Sequence, residues 1–140
     1  MNRCSSKLNL DYTLRYGQVT ELNSKYFIGY KLVIDQIENQ YSVGTGLYRY
    51  KTGRVKRKES DYSVLYNNTE FYLKEMVDRV AVFKTLEDLH TMYPNIDQET
   101  SRLAIMKFKI SGELIEIEAS NSNGEISVIA GKNIDSIKRI

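Results

Sequence analysis

The C-terminal third of the chain carries an alternation that suits an antiparallel sheet better than any helical arrangement. From Arg102 to Ala130, apolar residues recur at every second position through Met106, Phe108 and Ile110, then Ile115 and Ile117, then Val128 and Ala130. A period of two sends successive side chains to opposite faces of a strand. Two turn signals divide the stretch, Ser111-Gly112 and Asn123-Gly124, the second an Asn-Gly pair of the kind two-residue hairpins favour. With a turn at Ser111-Gly112, Ile110 pairs with Glu113, Phe108 lies opposite Ile115, Met106 lies opposite Ile117, and Lys107 meets Glu116 on the outer face. The turn at Asn123-Gly124 then sets Ala119 against Val128 and Ile117 against Ala130. Apolar residues face apolar ones and opposite charges face each other, as a half-buried hairpin requires. The spacing predicts a meander over 102–130, with Ile134 and Ile137 continuing into a last strand.

Composition agrees with a sheet-rich fold. The chain has 140 residues, 11 of them Tyr and only four Ala, and its apolar volume comes from Ile, Leu, Val and Tyr, which favour strands. Lys25 to Asp35 (KYFIGYKLVID) reads as a central strand closed by a polar turn over 36–40. Leu10, Tyr12, Leu14 and Tyr16 alternate with polar residues and suggest a first strand. Two helices are expected. Asn67 and Glu70 have capping-box spacing, after which Leu73, Met76, Val77 and Val80 share one helical face. Thr85 caps the second, with Leu86, Leu89 and Met92 or Tyr93 facing inward before Pro94. Val80-Ala81-Val82-Phe83 between them reads as a short buried strand. No repeat or linker divides residues 1–140, so the expectation is a single α+β domain: a twisted, mainly antiparallel sheet with a C-terminal meander and about two helices on one side.

Several kinds of site are excluded by arithmetic. One Cys and one His cannot supply a structural zinc site, and a lone Cys forms no internal disulfide. Any Cys-His or Ser-His pair would need His90, which the second helix turns to solvent beside Glu87. Cys4 reads as an incidental thiol. Glu116 and Glu118, two apart on a strand, read as a charged exterior in place of an acid/base pair. Gly44-Thr45-Gly46 lacks the further glycines or the Lys-Ser/Thr of a phosphate loop. No metal-ligand cluster and no cofactor motif emerges. The first residues contain no apolar h-region, and no segment reaches the ~20 apolar residues of a membrane helix, so a cytoplasmic location is expected, where the sequon at Asn67 has no meaning.

One charged segment stands out. The formal net charge is only +2, from 20 basic and 18 acidic residues, but residues 49–58 hold six basic residues and no acid, leaving 14 basic against 18 acidic for the rest. With Thr52-Gly53 as a two-residue turn, Lys51 lies opposite Arg54 and Arg49 opposite Lys56, so Arg49, Lys51, Arg54, Lys56 and Lys58 share one face while Tyr48, Tyr50, Val55 and Arg57 take the other. Like charges directly opposite are destabilising, which points to an anionic partner, nucleic acid or acidic protein. A solvated edge guarded against aggregation is the plain alternative. The candidate binding residues are Tyr48, Arg49, Tyr50, Lys51, Arg54, Lys56, Arg57 and Lys58.

Two stretches, Val82-Phe83-Lys84-Thr85-Leu86-Glu87-Asp88-Leu89 and Val128-Ile129-Ala130-Gly131-Lys132-Asn133-Ile134-Asp135-Ser136-Ile137, resemble segments of small uncharacterised α+β proteins encoded by phages and other mobile elements. The Lys-, Asn-, Ile- and Tyr-rich composition likewise points to an AT-rich coding sequence of a low-GC bacterium or its phage. The resemblance implies a non-enzymatic inhibitor of host defence, such as an anti-CRISPR protein, binding a bacterial effector protein or nucleoprotein complex in the host cytoplasm, with no cofactor and no membrane. A nucleic-acid-binding module is the first alternative. The second is a small enzyme, since Leu47-Tyr48-Arg49 resembles the arginine-bearing first strand of ADP-ribosyltransferases, although the Ser and Glu elements of that fold have no counterpart placed here.

Overall fold

A computed structural model describes residues 15–36, 39–42, 50–56, 74–94 and 103–140. Nine strands among them form one antiparallel sheet: β1 (Arg15–Glu21), β2 (Tyr26–Gln36), β3 (Asn39–Ser42), β4 (Gly53–Arg54), β5 (Val80–Phe83), β6 (Leu103–Ser111), β7 (Ile115–Asn121), β8 (Gly124–Gly131) and β9 (Asn133–Arg139). Their order across the sheet is β1-β7-β8-β5-β2-β6-β9-β4, with β3 pairing the end of β2. β2 is central as its sequence predicts. β6 borders one edge of it over Tyr26–Ile34, and β5 and β3 share the other. The first strand runs on past Tyr16 to Glu21, and the Leu10–Leu14 part of its predicted span lies outside the described residues.

The expected α+β layout with two helices is corrected. Among the described residues there is one α-helix, α1 (Leu86–Met92), and a single 3-10 turn at Lys74–Met76. Val80, which the predicted first helix would place beside Met76, opens β5 instead. Met76 packs in one core and Val80 in another on the opposite side of the sheet, a separation that one helical face cannot give. Asn67, Glu70 and Leu73 lie outside the described residues. α1 begins where the sequence places it: the Thr85 hydroxyl accepts a hydrogen bond from the Asp88 N–H at 3.0 Å, satisfying one of the free donors of the first turn.

Both faces of the sheet are buried over its middle. On one, Leu32, Phe83, Ile117, Ala119, Val128 and Ala130 pack under Leu89, Met92 and Tyr93 at the end of α1. On the other, Val33, Val80, Val82, Phe108, Ile110, Ile129 and Ile134 pack against Tyr50, Val55 and Leu114. β5 therefore has no solvated side, and all four of its residues are buried. The Tyr50 and Phe108 rings meet edge to face at 5.5 Å, fixing the covering segment on the second core.

The meander is also corrected. β6 does not pair with β7: it lies between β2 and β9, while β7 lies between β1 and β8. Gly112 and Glu113 adopt left-handed backbone conformations (φ 87° and 45°), and the chain then leaves the β6 ladder through Leu114, which is buried in the second core. Met106, Phe108 and Ile110 thus face one core and Ile115 and Ile117 the other. The β7–β8 hairpin forms, but with Ile117 opposite Val128 and Ala119 opposite Ile126, a two-residue shift from the predicted register. Ser122 and Asn123 occupy the turn, and the Asn121 side chain accepts from the Asn123 N–H at 2.8 Å. A shift of two leaves every side chain on its predicted face of this pair.

Candidate functional site

Residues directly opposite one another in a sheet share a face, so the registers of β2, β6, β9 and β4 define a surface. One row runs Tyr26, Ser111, Asn133, Arg54; the next runs Ile28, Lys109, Ser136; a third runs Tyr30, Lys107, Lys138. The alternate residues Phe27, Met106, Phe108, Ile110, Ile134 and Ile137 point to the second core and anchor the strands from behind. On the side of the rows, α1 packs on β2, β5 and β8, and no helix among the described residues covers the β6–β9–β4 end of that face. Tyr26 is 53% exposed and Ile28 44%, and Lys107, Lys138 and Arg54 are exposed.

The electrostatics of this surface are one-sided. Lys107 stands directly opposite Lys138, where the sequence predicts Glu116 as its partner. Lys109 rests its ammonium 4.5 Å from the centre of the Tyr26 ring, a cation–π contact. Lys107, Lys138, Arg54, Lys51 and Lys56 form no ion pair among the described residues. Elsewhere Lys84 pairs with Glu116 at 3.0 Å, Lys132 with Glu113 at 3.0 Å and Asp78 at 3.6 Å, and Arg79 with Glu113 at 4.0 Å. Among the described residues an acid on this face is Asp135, the extra residue where β9 bulges, and its Oδ1 accepts from the Ser111 hydroxyl at 3.0 Å.

The basic segment of the sequence joins this surface at its edge. Gly53 and Arg54 pair with Ile134 and Asn133 of β9, so Lys51 and Arg54 do not face each other across a two-residue turn as expected. Tyr50 and Val55 are buried, which assigns Tyr50 to the core, while Lys51, Arg54 and Lys56 are exposed. Tyr48, Arg49, Arg57 and Lys58 lie outside the described residues, as do Cys4, the glycines of 44–46 and the segment that resembles an ADP-ribosyltransferase strand. His90 is exposed on α1. Glu116 is tied to Lys84, and the Glu118 carboxylate accepts from the Gln18 N–H at 3.1 Å where β1 bulges; neither faces Lys107 or Ile105.

Tyr26, Ile28, Lys107 and Lys138 were not legible as a site. Both halves of the alternation in KYFIGYKLVID are apolar, so the whole strand reads as buried, and Lys107 reads as neutralised. The available signal was Lys107 and Lys109 interleaved with Met106, Phe108 and Ile110, which makes one face of β6 cationic whatever its neighbours. An open groove of about 500 Å³ lies at the β1–β7–β8 end of the sheet, lined by Arg15, Gly17, Glu118, Ser120, Glu125 and Ser127, with both signs of charge. No protein-family model matches the chain, and comparison with curated proteins and with solved structures finds no match.

Proposed function

We propose that the chain is a non-enzymatic binding protein that docks an anionic partner on the open β2–β6–β9–β4 face, with Lys51, Arg54 and Lys56 extending the contact along its edge. The observation that carries this reading is the cross-strand pair Lys107 and Lys138, two exposed cations held opposite each other without an acid between them. Such a pair costs the sheet stability, of the order of 0.2–1 kcal/mol, and an arriving anion removes the cost. A phage-encoded inhibitor seated on a nucleoprotein defence effector in the bacterial cytoplasm is one protein that would use such a face, and the resemblance in the second half of the chain favours it. No helix among the described residues is long and apolar enough to cross a membrane.

The test pairs a binding readout with a stability readout on Lys107→Glu. The substitution turns a repelling pair into an attracting one, so the thermal midpoint rises by roughly 1–3 °C, from the same pair energy. Retention on immobilised heparin, a generic polyanion, falls at the same time, and falls further in Lys107→Glu/Lys138→Glu. Higher stability with unchanged retention assigns the lysines to a solvated edge and refutes the proposal.

A further inference from the structure

Two of the three most exposed large apolar side chains in the described structure, Tyr26 and Ile28, lie two residues apart on one face of β2, with Tyr30 next in the same column, half-buried against the first core. The adjacent column on β6 is Lys107 and Lys109, and the next strands add Lys138 and Arg54. We propose that this face is a stacking platform for single-stranded nucleic acid, in which an unpaired base lies on exposed Tyr26, a neighbouring base reaches the part of Tyr30 left open by the core, and the backbone phosphates run along the lysine column. The inference rests on the anionic-partner reading and names its partner.

Charge and shape together favour a single strand over other polyanions. A duplex presents charge but keeps its base faces stacked inside, so it would leave Tyr26 and Ile28 in water. An unpaired base offers a π-face, and base–aromatic stacking tolerates any sequence. At ~3.3 Å per residue along a strand, Tyr26 and Tyr30 stand about 13 Å apart, and at ~4.8 Å between strands the four strands span about 14 Å. That is room for a few splayed nucleotides on a flat surface. Lys109 covers one face of the Tyr26 ring and brings a cation beside it, and more than half of the residue stays open. The rear of the platform is rigid: Phe108 and Ile110 behind the lysine column are fully buried.

The experiment is fluorescence anisotropy with labelled dT12, U12 and a 12-base-pair duplex DNA, at several salt concentrations, on the full chain and on Tyr26→Ala, Tyr26→Phe, Tyr30→Ala and Lys107→Glu. The single strands are expected to bind more tightly than the duplex, with affinity falling as salt rises. Tyr26→Ala should weaken dT12 binding by roughly 5- to 150-fold, the range for a lost base–aromatic stack, and Tyr26→Phe by less than about twofold. Because Tyr26 is exposed, its variants should melt with the parent chain, and the Phe variant controls for any that do not. Equal binding of duplex and single strand, or an unchanged affinity in Tyr26→Ala, overturns the inference. If dT12 and U12 fail to bind while heparin retention still depends on Lys107 and Lys138, this inference falls and the broader anionic-partner reading stands; if both fail, both fall.

Discussion

Arg79→Ala removes the one charged side chain that the described structure buries, and its consequence can be worked from geometry. The residue is 8% exposed. Its Nη1 donates to the Glu75 carbonyl at 2.9 Å, and its Nε and Nη2 both donate to the Glu113 carbonyl, at 3.2 and 3.0 Å. The guanidinium thus joins the 3-10 turn to the connection that carries the chain from β6 to β7, where Glu113 holds a left-handed conformation. The Glu113 carboxylate also stands 4.0 Å from Nη2, but that side chain is 70% exposed, so the ion pair is screened and weak. Truncation strips two part-buried carbonyls of charge-assisted partners at about 1–3 kcal/mol each, with water entering the vacated space to recover some of it. The expected loss is about 2–4 kcal/mol. In urea unfolding followed by circular dichroism, at an m of about 2 kcal/mol/M, the midpoint falls by roughly 1–2 M with m unchanged. Arg79→Met keeps most of the stem packing and none of the donors, so it should recover little. Glu113→Gln keeps the backbone carbonyl and should cost under about 1 kcal/mol. A loss below about 1 kcal/mol for Arg79→Ala, or a Glu113→Gln as damaging as Arg79→Ala, refutes the reasoning that the carbonyl contacts carry the stability.

Two further substitutions test the packing of the fold. Gly29→Ala would drive a methyl into Val82 Cγ2 and to 2.5 Å from the Phe83 carbonyl oxygen, so β2 and β5 must separate. A loss of about 3 kcal/mol, or roughly 6–12 °C in Tm, is expected, with Val82→Ala relieving only the side-chain part. Thr85→Ala removes the cap of α1 and should cost about 1 kcal/mol in urea unfolding, with Thr85→Ser restoring most of it.

What could be read from the sequence divides along a physical line. Alternation says which face a residue takes and says little about which strand lies beside it. That is why β2, β5 and β9 were legible as strands, and why the β7–β8 pair kept its faces through a two-residue register shift. It is also why the expected β6–β7 hairpin does not form. Phe108 and Ile115 satisfy apolar matching on paper, but the left-handed pair Gly112 and Glu113, followed by buried Leu114, sends β7 to another part of the sheet and gives the two strands' apolar residues separate cores. α1 was legible because a local signal fixes it, the Thr85 hydroxyl on the Asp88 N–H. The predicted first helix rested on a capping-box pair, Asn67 and Glu70, that lies outside the described residues, and on the spacing of Leu73, Met76, Val77 and Val80, which the burial of Met76 and Val80 on opposite sides of the sheet overrode.

The same distinction governs the candidate site. The excess of positive charge over 49–58 was visible as composition, yet composition does not say what faces what, and in the fold Tyr50 and Val55 turn inward while Arg54 takes its place beside Asn133 of β9. The like-charge opposition expected between Lys51 and Arg54 occurs between Lys107 and Lys138, in the part of the chain where complementary charges were expected. Had β6 paired with β7, Glu116 would have neutralised Lys107; pairing with β9 frees Glu116 for Lys84 and leaves Lys107 facing a second lysine. The crossover that splits the predicted meander therefore has two effects from one cause. It divides the apolar residues between two cores, and it brings Lys107 of β6 and Lys138 of β9 together beside exposed Tyr26 and Ile28 of β2, so the face proposed as a platform forms only because the simpler hairpin does not.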